Sequence, residues 1–360
     1  MAGHNLPTLS GSLPLVIAHR GASGYLPEHT LAAYALAIEQ GADFIEPDLV
    51  ATQDGVLIAR HEPNLIETTN VQDLPQFADR RRSVMIDGRP HTGFFCHDFT
   101  LLEIKELRVR QPRPYRDQSY NDQFPIPTFS EILDLVQQME ATRGRRIGIY
   151  PETKHPTYFD QLGRSLEEPL LHTLIEHAFI DPQRVFIQSF EVANLRELRT
   201  LMAAQELNLP LVQLFGEWQQ QPYDFVLSGD SRTYGDLIAA HLQFVASYAA
   251  AIGVEKRSIV RTTPATHSAQ AGILEEHQTG EVLPIVRAAH AAGLQVHVYT
   301  FRNEAEFLAR EYENQPEAEY RQFYQLGVDG VFSDFPDTAV AAREHLTGTS
   351  ELDSELDAVG

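Results

Sequence analysis

The sequence predicts an α/β protein whose parallel sheet closes into a (β/α)8-type barrel. Short apolar runs rich in β-branched residues alternate with longer stretches of helical periodicity, which is typical of βα units around a parallel sheet. The 360 residues suffice for one such unit, because α/β barrels commonly use about 250 residues or more. Two average domains would also fit this length, so the prediction depends on the repeated pattern.

The predicted strands are the apolar runs themselves. They cover residues 15–19, 44–50, 56–61, 146–152, 185–190, 211–215, 295–300 and 330–333, with a further short candidate at 249–254. Eight or nine strands are compatible with a closed barrel. In such a barrel the active site lies at the C-terminal face, where the strands run out into loops.

Capping residues mark the starts of three helices. Thr30 precedes the apolar run 31–38, and Gly41 follows it as a left-handed stop. Thr100 and Glu103 have capping-box spacing, and we expect a helix over 101–109 behind them. Thr128 and Glu131 repeat this spacing before a third helix.

A single barrel domain is predicted over residues 13–345. Between His61 and Pro127 the alternation gives way to Pro, Arg and aromatic residues, and this stretch is too long for an ordinary loop. We therefore expect an inserted subdomain over about 62–127 that caps the barrel mouth. The acidic composition of residues 346–360 predicts a disordered tail.

The composition narrows the possible partners and compartments. A net charge of −22 argues against nucleic acid, and no apolar run approaches the roughly 18 residues that span a bilayer. A small anionic substrate therefore needs a local positive patch or a metal. The single cysteine, Cys96, excludes an internal disulfide. The first ten residues lack a secretion-signal pattern, which favours a cytoplasmic protein, or a periplasmic one if a leader has been removed.

Carboxylates are paired within the predicted strands. Glu46 and Asp48 are two residues apart and share one strand face, where two unpaired buried charges would be prohibitively costly. Glu152 and Lys154 repeat this spacing at the end of another strand. Together the three carboxylates predict a site for a hard divalent cation, Ca²⁺ or Mg²⁺, with water and substrate completing its shell.

Two histidines end strands near these acids. His19 closes the first strand, followed by Arg20 and Gly21, where glycine lets the backbone approach a ligand closely. His61 follows an Asp54-Gly55 hairpin signal. A two-residue turn places His61 opposite Asp48, and a loop two residues longer places it opposite Glu46. Both registers put His61 on the face of the carboxylates, whereas the intermediate register turns it away.

These residue types suit the cleavage of a phosphate ester. That reaction needs an activated nucleophile, a proton for the leaving alkoxide and positive charge beside the non-bridging oxygens. Two histidines with an ordinary pKa near 6.5 can supply the base and the acid. Arg20, Lys154 and the cation can supply the charge.

The motifs also occur in a known order. The chain resembles the glycerophosphodiester phosphodiesterase family over roughly residues 13–342, with its periplasmic-type bacterial members as the nearest likeness. The resemblance rests on His19-Arg20-Gly21, Pro27-Glu28-His29-Thr30, Glu46-Pro47-Asp48, Asp54-Gly55 before His61, Tyr150-Pro151-Glu152-Thr153-Lys154 and Ser333-Asp334-Phe335-Pro336.

The resemblance implies a fold, a reaction and a set of roles. It implies a TIM-type barrel and metal-dependent hydrolysis of glycerophosphodiesters to sn-glycerol 3-phosphate and an alcohol, such as choline, ethanolamine, glycerol or inositol. Ca²⁺ is the expected cation and Mg²⁺ the alternative. The implied roles are catalysis by His19 and His61, metal binding by Glu46, Asp48 and Glu152, and phosphate binding by Arg20 and Lys154.

The chain departs from the family pattern at two positions, and two other functions compete. Glu62 stands where Asp usually follows the second histidine, and His29 stands where Asn is common. A related phosphodiesterase acting on lipid head groups would favour a basic or apolar membrane-facing loop, which the acidity opposes. A non-catalytic ligand-binding barrel is disfavoured because both histidines and all the acids are present.

Several further residues are open to more than one interpretation. Ser333 and Asp334 are expected to be a helix cap or a structural pair. The aromatic residues of the expected insertion could form a substrate wall or pack the insertion together; these are Tyr115, Tyr120 and Phe124. Trp218 could contact a lid.

Overall fold

A computed structural model gives the fold of the chain. It describes residues 6–263, 266–267 and 274–357. None of the helices in these ranges is long and apolar enough to cross a bilayer.

The strands are short and lie in chain order. They are β1 (Leu15–His19), β2 (Phe44–Glu46), β3 (Asp48–Ala51), β4 (Leu57–Ala59), β5 (Arg82–Ile86), β6 (Arg89–Gly93), β7 (Gly148–Ile149), β8 (Glu152–Thr153), β9 (Ile187–Ser189), β10 (Leu211–Leu214), β11 (Ala251–Glu255), β12 (Val260–Thr262), β13 (Thr266–His267), β14 (Leu274–Glu275), β15 (Gln278–Val282), β16 (Gln295–Phe301) and β17 (Gly330–Ser333).

The helices lie between these strands. The α-helices are α1 (Leu31–Glu39), α2 (Leu101–Ile104), α3 (Phe129–Arg143), α4 (Pro156–Gln161), α5 (Glu167–Glu176), α6 (Val192–Ala204), α7 (Tyr223–Ser228), α8 (Tyr234–Ala240), α9 (Leu242–Ala246), α10 (Ile285–Ala291), α11 (Pro316–Gln325) and α12 (Pro336–Asp357). Short 3₁₀ helices cover Val71–Asp73, Pro75–Arg80, Cys96–Asp98, Lys256–Ser258, Ala305–Phe307 and Arg310–Tyr312.

The strands form a closed parallel ring. β2 and β3 are halves of one strand interrupted at Pro47, and β7 and β8 are halves of another interrupted at Pro151. With the halves joined, the 11-stranded sheet becomes an eight-stranded ring, plus β4 outside it. The ring closes because β1 pairs in parallel with both β17 and β2. This is the TIM-type (β/α)8 barrel that the sequence predicts.

The two prolines interrupt the ladder on one side only. Proline lacks a backbone N–H and so cannot donate to a neighbouring strand. The carbonyl oxygen of Pro47 still accepts from the Glu152 amide at 2.9 Å, and that of Pro151 accepts from the Gln188 amide at 2.9 Å. The strands therefore continue through both prolines, and the acids on either side keep their places in the barrel.

The sequence predicts eight or nine strands, and the structure shows how the ninth run is accommodated. The candidate at 249–254 is β11, a ring strand. The run at 56–61 is β4, which pairs antiparallel with β3 and lies outside the ring. Its hairpin explains how a ninth run fits an eight-stranded barrel.

An apolar layer fills the barrel interior. It takes one side chain from each of seven neighbouring positions around the ring, namely Ile17, Phe44, Tyr150, Phe186, Val212, Ala251 and Phe332. His297 of β16 completes the layer, where its Nδ1 lies 2.7 Å from the Tyr150 hydroxyl. Burial lowers the pKa of His297 to about 4, so this histidine is a neutral part of the floor.

The predicted helix caps are confirmed. The Thr30 hydroxyl accepts from the Ala33 amide at 3.1 Å, and Gly41 has a φ of +92°. Both capping boxes form, before α2 and α3. However, α2 ends at Ile104 and does not reach Val109, because Val109 forms an antiparallel bridge with Thr69 instead.

The domain boundaries stay a prediction. In the segment 62–127 the structure has the β5–β6 hairpin, α2 and three short 3₁₀ helices, joined by irregular chain. Helix α12 continues to Asp357 and so runs into the range 346–360, for which the sequence predicts a disordered tail.

Removing the α3 capping box should destabilise the protein modestly. Thr128→Ala leaves the Glu131 amide without its side-chain acceptor, so we expect the free energy of unfolding to fall by about 1 kcal/mol. Urea unfolding measures this change, and the dependence of the free energy of unfolding on urea concentration should stay the same. Thr142→Ala, an exposed change on the same helix, should stay within about 0.5 kcal/mol of the unaltered protein. Equal midpoints for the two variants would contradict the capping role.

Candidate active site

A cavity of about 1010 Å³ opens near the C-terminal ends of the barrel strands. His61, Glu152 and Lys154 line it, and so does Tyr299 of β16. Each position lies at or just beyond the end of its strand, except Tyr299, which lies within β16. This is the edge at which (β/α)8 barrels place their chemistry.

The predicted acidic cluster forms. Glu46, Asp48 and Glu152 each offer an oxygen within 4.8 Å of the others, and all three residues are buried. The ladder sets this spacing, because Asp48 is the register partner of Glu152 across β3 and β8. Burial of three carboxylates this close together strengthens the electrostatic repulsion between their ionised forms.

Neighbouring groups compensate part of the charge on Glu46 and Glu152. The Arg20 amide donates to Glu46 Oε2 at 2.8 Å, and Gln188 Nε2 donates to Glu46 Oε1 at 3.1 Å. Lys154 Nζ donates to Glu152 Oε1 at 2.7 Å. Burial, followed by the charges of Asp48 and Glu152, nevertheless raises the pKa of Glu46 well above its usual value.

Asp48 is stabilised as an anion. His29 Nε2 lies 2.9 Å and Arg20 Nε 3.2 Å from its Oδ2. Burial raises the pKa of Asp48, but the charge of Lys154 and the contact with His29 outweigh burial and lower it well below the usual value. His29, which stands where the family commonly has Asn, is fully buried and also contacts the Tyr34 hydroxyl at 2.7 Å through Nδ1.

These residues fit a divalent cation. The second carboxylate oxygen of Asp48, Oδ1, is buried and has no hydrogen-bond partner in the part of the chain that the structure describes. A buried carboxylate oxygen without a partner is costly, and a cation among the three acids would supply one. An all-oxygen donor set is what Ca²⁺ and Mg²⁺ prefer.

His19 is held by Asp334. Its Nδ1 lies 2.6 Å from Asp334 Oδ1, which leaves Nε2 for another partner. Asp334 Oδ2 in turn accepts from Arg116 at 2.6 Å and Arg302 at 3.1 Å. The sequence interpretation of Asp334 as a structural pair or cap missed this contact. The Ser-Asp-Phe-Pro motif was its only local signal.

His61 reaches the site by a different route from the one the sequence suggests. β3 and β4 pair Leu49 with Ala59 and Ala51 with Leu57 around the three-residue loop 53–55. This is the intermediate register, which should turn His61 away, so both anticipated registers are wrong. The chain leaves β4 after Ala59, however, and strand alternation no longer directs the side chain of His61. Its Nε2 lies 3.2 Å from Lys154 Nζ.

Both histidines are neutral in the free protein at neutral pH. Burial, with a further contribution from the charge of Arg20, lowers the pKa of His19 to about 4. Burial and then the charges of Arg20 and Lys154 lower the pKa of His61 to about 4. A neutral imidazole can accept a proton, so either ring can begin a reaction as a base.

Arg20 and Lys154, the two predicted phosphate-binding cations, both lie against the acids. Arg20 Nη1 is 3.1 Å from each carboxylate oxygen of Glu28. Lys154 Nζ bridges Glu152 and His61. Gly21 makes its close approach to helix α1, not to the cavity, since a Cβ there would lie 2.7 Å from the Ala33 carbonyl carbon.

The aromatic candidates lie in three different places. Trp218 lines the same cavity as His61, with the guanidinium of Arg261 over its ring. Tyr120 and Phe124 stack on each other and line a second cavity of about 630 Å³ with Tyr25. Tyr115 packs against Phe307. Tyr115, Tyr120 and Phe124 are thus not among the residues lining the cavity of His61.

Comparison with known proteins identifies close relatives by sequence. The sequence profile of the glycerophosphoryl diester phosphodiesterase family matches residues 19–338. A glycerophosphodiester phosphodiesterase of Arabidopsis thaliana is 36% identical over 342 residues, covering 91% of this chain and 85% of the relative. One of Haemophilus influenzae is 30% identical over 362 residues, covering 91% and 88%.

Solved structures show the same fold. A phosphodiesterase of Oleispira antarctica, in complex with the product sn-glycerol-3-phosphate, has a TM-score of 0.59 at 20% identity and covers 94% of this chain and 99% of its own. A glycerophosphodiester phosphodiesterase of Agrobacterium tumefaciens has a TM-score of 0.56 at 19% identity, with 91% and 100% covered.

Loss of one acid should weaken cation binding. We expect Glu46→Gln to lower the affinity for Ca²⁺ or Mg²⁺ by at least about 10-fold, because one charged oxygen donor is lost. Isothermal titration of the metal-free protein measures this affinity.

The chain offers a matched control in a second acidic group. Asp160, Glu167 and Glu197 also approach one another, but Asp160 and Glu197 are exposed. Glu197→Gln should leave the affinity unchanged. Equal affinities for Glu46→Gln and the unaltered protein would rule out the buried cluster as the cation site.

Proposed function

The chain belongs to the glycerophosphoryl diester phosphodiesterase family and is therefore a phosphoric diester hydrolase, and on that premise we propose that it hydrolyses glycerophosphodiesters to sn-glycerol 3-phosphate and an alcohol. The observation that carries the proposal is the meeting of two imidazoles with three buried carboxylates at one barrel edge. The relative solved with sn-glycerol-3-phosphate supports the same product class.

We assign the metal site to Glu46, Asp48 and Glu152. Ca²⁺ is the proposed cation, because it accepts irregular oxygen shells, and Mg²⁺ is the alternative. When bound, the cation would neutralise charge on the non-bridging phosphate oxygens. Arg20 and Lys154 flank the same acids and would orient the phosphate, since each has donors beside the cluster.

His19 and His61 are the proposed acid and base. One ring takes a proton from the nucleophile at Nε2. The other ring must first take up a proton at Nε2, which the negative charge of a bound phosphate diester favours, and it then gives that proton to the leaving alkoxide. The nucleophile is either water or the glycerol 2-hydroxyl of the substrate. In each histidine Nδ1 contacts a carboxylate, Asp334 or Glu62, so Nε2 is the atom that exchanges protons with the substrate.

The cavity has room for a head group beyond the phosphate. Its volume of about 1010 Å³ is at the upper end of ordinary ligand pockets. Its walls combine Trp218, Tyr234 and the charged side chains Glu217 and Arg261. A choline, ethanolamine, glycerol or inositol group would lie against this wall. We also propose segment 62–127 as a cap over this mouth within one barrel domain, 13–345.

Loss of either histidine should abolish turnover without abolishing cation binding. We expect His19→Ala and His61→Ala each to lower kcat by about 10²- to 10⁴-fold. The affinity for the cation, measured by titration, should stay within about twofold, because the rings contact Asp334, Glu62 and Lys154 and not the three carboxylates. A variant that keeps the full kcat and the pH profile of the unaltered enzyme would remove that histidine from the mechanism.

A substrate panel tests the reaction itself. Glycerophosphocholine, glycerophosphoethanolamine, glycerophosphoinositol and a lysophospholipid are assayed side by side. The detected product is sn-glycerol 3-phosphate for the three soluble diesters and lysophosphatidic acid for the lysophospholipid. We expect the soluble diesters to be cleaved and EDTA to stop the reaction. Cleavage of the lysophospholipid alone would favour the lipid-head-group alternative, and no cleavage of any diester would contradict the proposal.

A further inference from the structure

Glu62 joins His61 to a second histidine. Its Oε1 lies 2.8 Å from His61 Nδ1, and its Oε2 lies 3.6 Å from His155 Nε2. The side chain of Glu62 is 46% exposed. A glutamate this exposed has many rotamers, so its contact with His61 alone would not hold it in one place. The second contact restricts both carboxylate oxygens.

His155 is itself held by Asp87. Its Nδ1 is within hydrogen-bond distance of Asp87 Oδ2, while Nε2 faces Glu62. Asp87 lies in the turn between β5 and β6, whereas His155 immediately precedes α4. Both residues have left-handed backbones, with φ of +48° and +50°, and both line the cavity. Such backbones are uncommon outside glycine and mark positions that the surroundings hold in place.

The charges along this chain of contacts alternate. Burial lowers the pKa of His155, but the contacts with Asp87 and Glu62 outweigh burial and raise it to about 9. His155 is therefore an imidazolium at neutral pH, with one N–H for each carboxylate. Burial raises the pKa of Glu62, and the contacts with His155 and His61 outweigh it and keep Glu62 ionised.

We infer that Asp87 and His155 are positioning residues that fix Glu62 and, through it, the ring of His61. Glu62 accepts from Nδ1–H of His61 and so keeps Nε2 unprotonated and directed at the site. This inference rests on the proposed role of His61. It also explains how the longer glutamate serves where the family usually has aspartate, because His155 holds the oxygen that would otherwise be free.

The consequence is an effect on turnover more than on binding. A loosened His61 ring spends less time in the reactive tautomer and orientation, which lowers kcat. Substrate binding depends on Arg20, Lys154 and the cation site, which Asp87 does not contact. KM should therefore change little.

Asp87→Asn is the principal variant. Asparagine tolerates a left-handed backbone and keeps the shape of the side chain, so only the charge and one acceptor are lost. We expect kcat for a soluble glycerophosphodiester to fall by on the order of 10-fold, with KM within about twofold. His155→Asn should lower kcat to a similar extent. Asparagine is compatible with the left-handed backbone there, but it is too short to join Asp87 and Glu62.

Asp122→Asn is the matched control. Asp122 lies in the same segment with a φ of +64°, and it is paired with Arg110, but it is not among the residues lining the cavity of His61. The kcat of the Asp122→Asn variant should equal that of the unaltered enzyme. An equal loss in Asp122→Asn and Asp87→Asn would overturn the inference, as would a full kcat in Asp87→Asn.

A measurement on His61 separates this inference from the proposed function. Ring-nitrogen chemical shifts of histidine-labelled protein report its tautomer without substrate. We expect the Nδ1–H tautomer in the unaltered protein and a mixture in Asp87→Asn. If no diester is hydrolysed while this shift occurs, the positioning chain stands and the proposed function fails. An unchanged tautomer together with an unchanged kcat in an active enzyme refutes the chain alone.

Glu62→Gln completes a double-mutant cycle. If Asp87 acts through Glu62, the double variant should be no slower than Glu62→Gln, because the second change disrupts a chain that is already broken. If the fold-losses in kcat of the two single variants multiply in the double variant, Asp87 acts by another route. That result would contradict the inference.

Discussion

The two-residue repeat of side chains along the barrel strands is the constraint on which the site depends. Alternate residues of a strand share a face, so an inward apolar residue is followed two positions later by an inward polar one. Ile17 and His19, Phe44 and Glu46, Tyr150 and Glu152, and Phe332 and Asp334 all follow this rule. The apolar layer forms a buried floor, and polar side chains of the layer above it, such as that of Glu152, face the cavity. Hydrogen bonds and ion pairs are strong in such a place, and unpaired charges are costly there.

That cost explains the arrangement around the carboxylates. Glu46, Asp48 and Glu152 would repel one another in a buried cluster, and no single strand supplies enough positive charge to prevent it. Positive charge comes from Arg20 in the loop after β1 and from Lys154 after β8, and Gln188 of β9 adds a hydrogen bond to Glu46. Because Arg20 also pairs with Glu28, its charge is shared. The opposite pKa shifts of Glu46 and Asp48 express the same crowding, which a divalent cation would relieve.

The segment after β4 supports this site from outside the barrel. Arg113 pairs with Glu28, Arg116 with Asp334, and Asp87 with His155. Glu28 and Asp334 each contact a site residue directly, Arg20 and His19, and His155 reaches His61 through Glu62. The segment therefore holds side chains that surround the buried carboxylates and the two histidines. Arg113, Arg116 and Asp87 belong to no motif that the sequence displays. Sequence reasoning therefore predicted for this segment a cap and a set of aromatic wall candidates, but not these contacts.

The sequence by itself determined the approximate positions of the barrel strands, the helix caps and the acidic cluster, and it singled out the pair of histidines. These follow from local rules, namely alternation along a strand, capping spacing and motif order, which need no knowledge of distant residues. Only the tertiary structure decided the contact of His19 with Asp334, 315 residues away, and the network of Glu62, His155 and Asp87. It also decided the register of the β3–β4 hairpin, where a three-residue loop replaced the anticipated turns. Contacts between distant segments depend on how the barrel closes, and no local pattern in the chain encodes that distance.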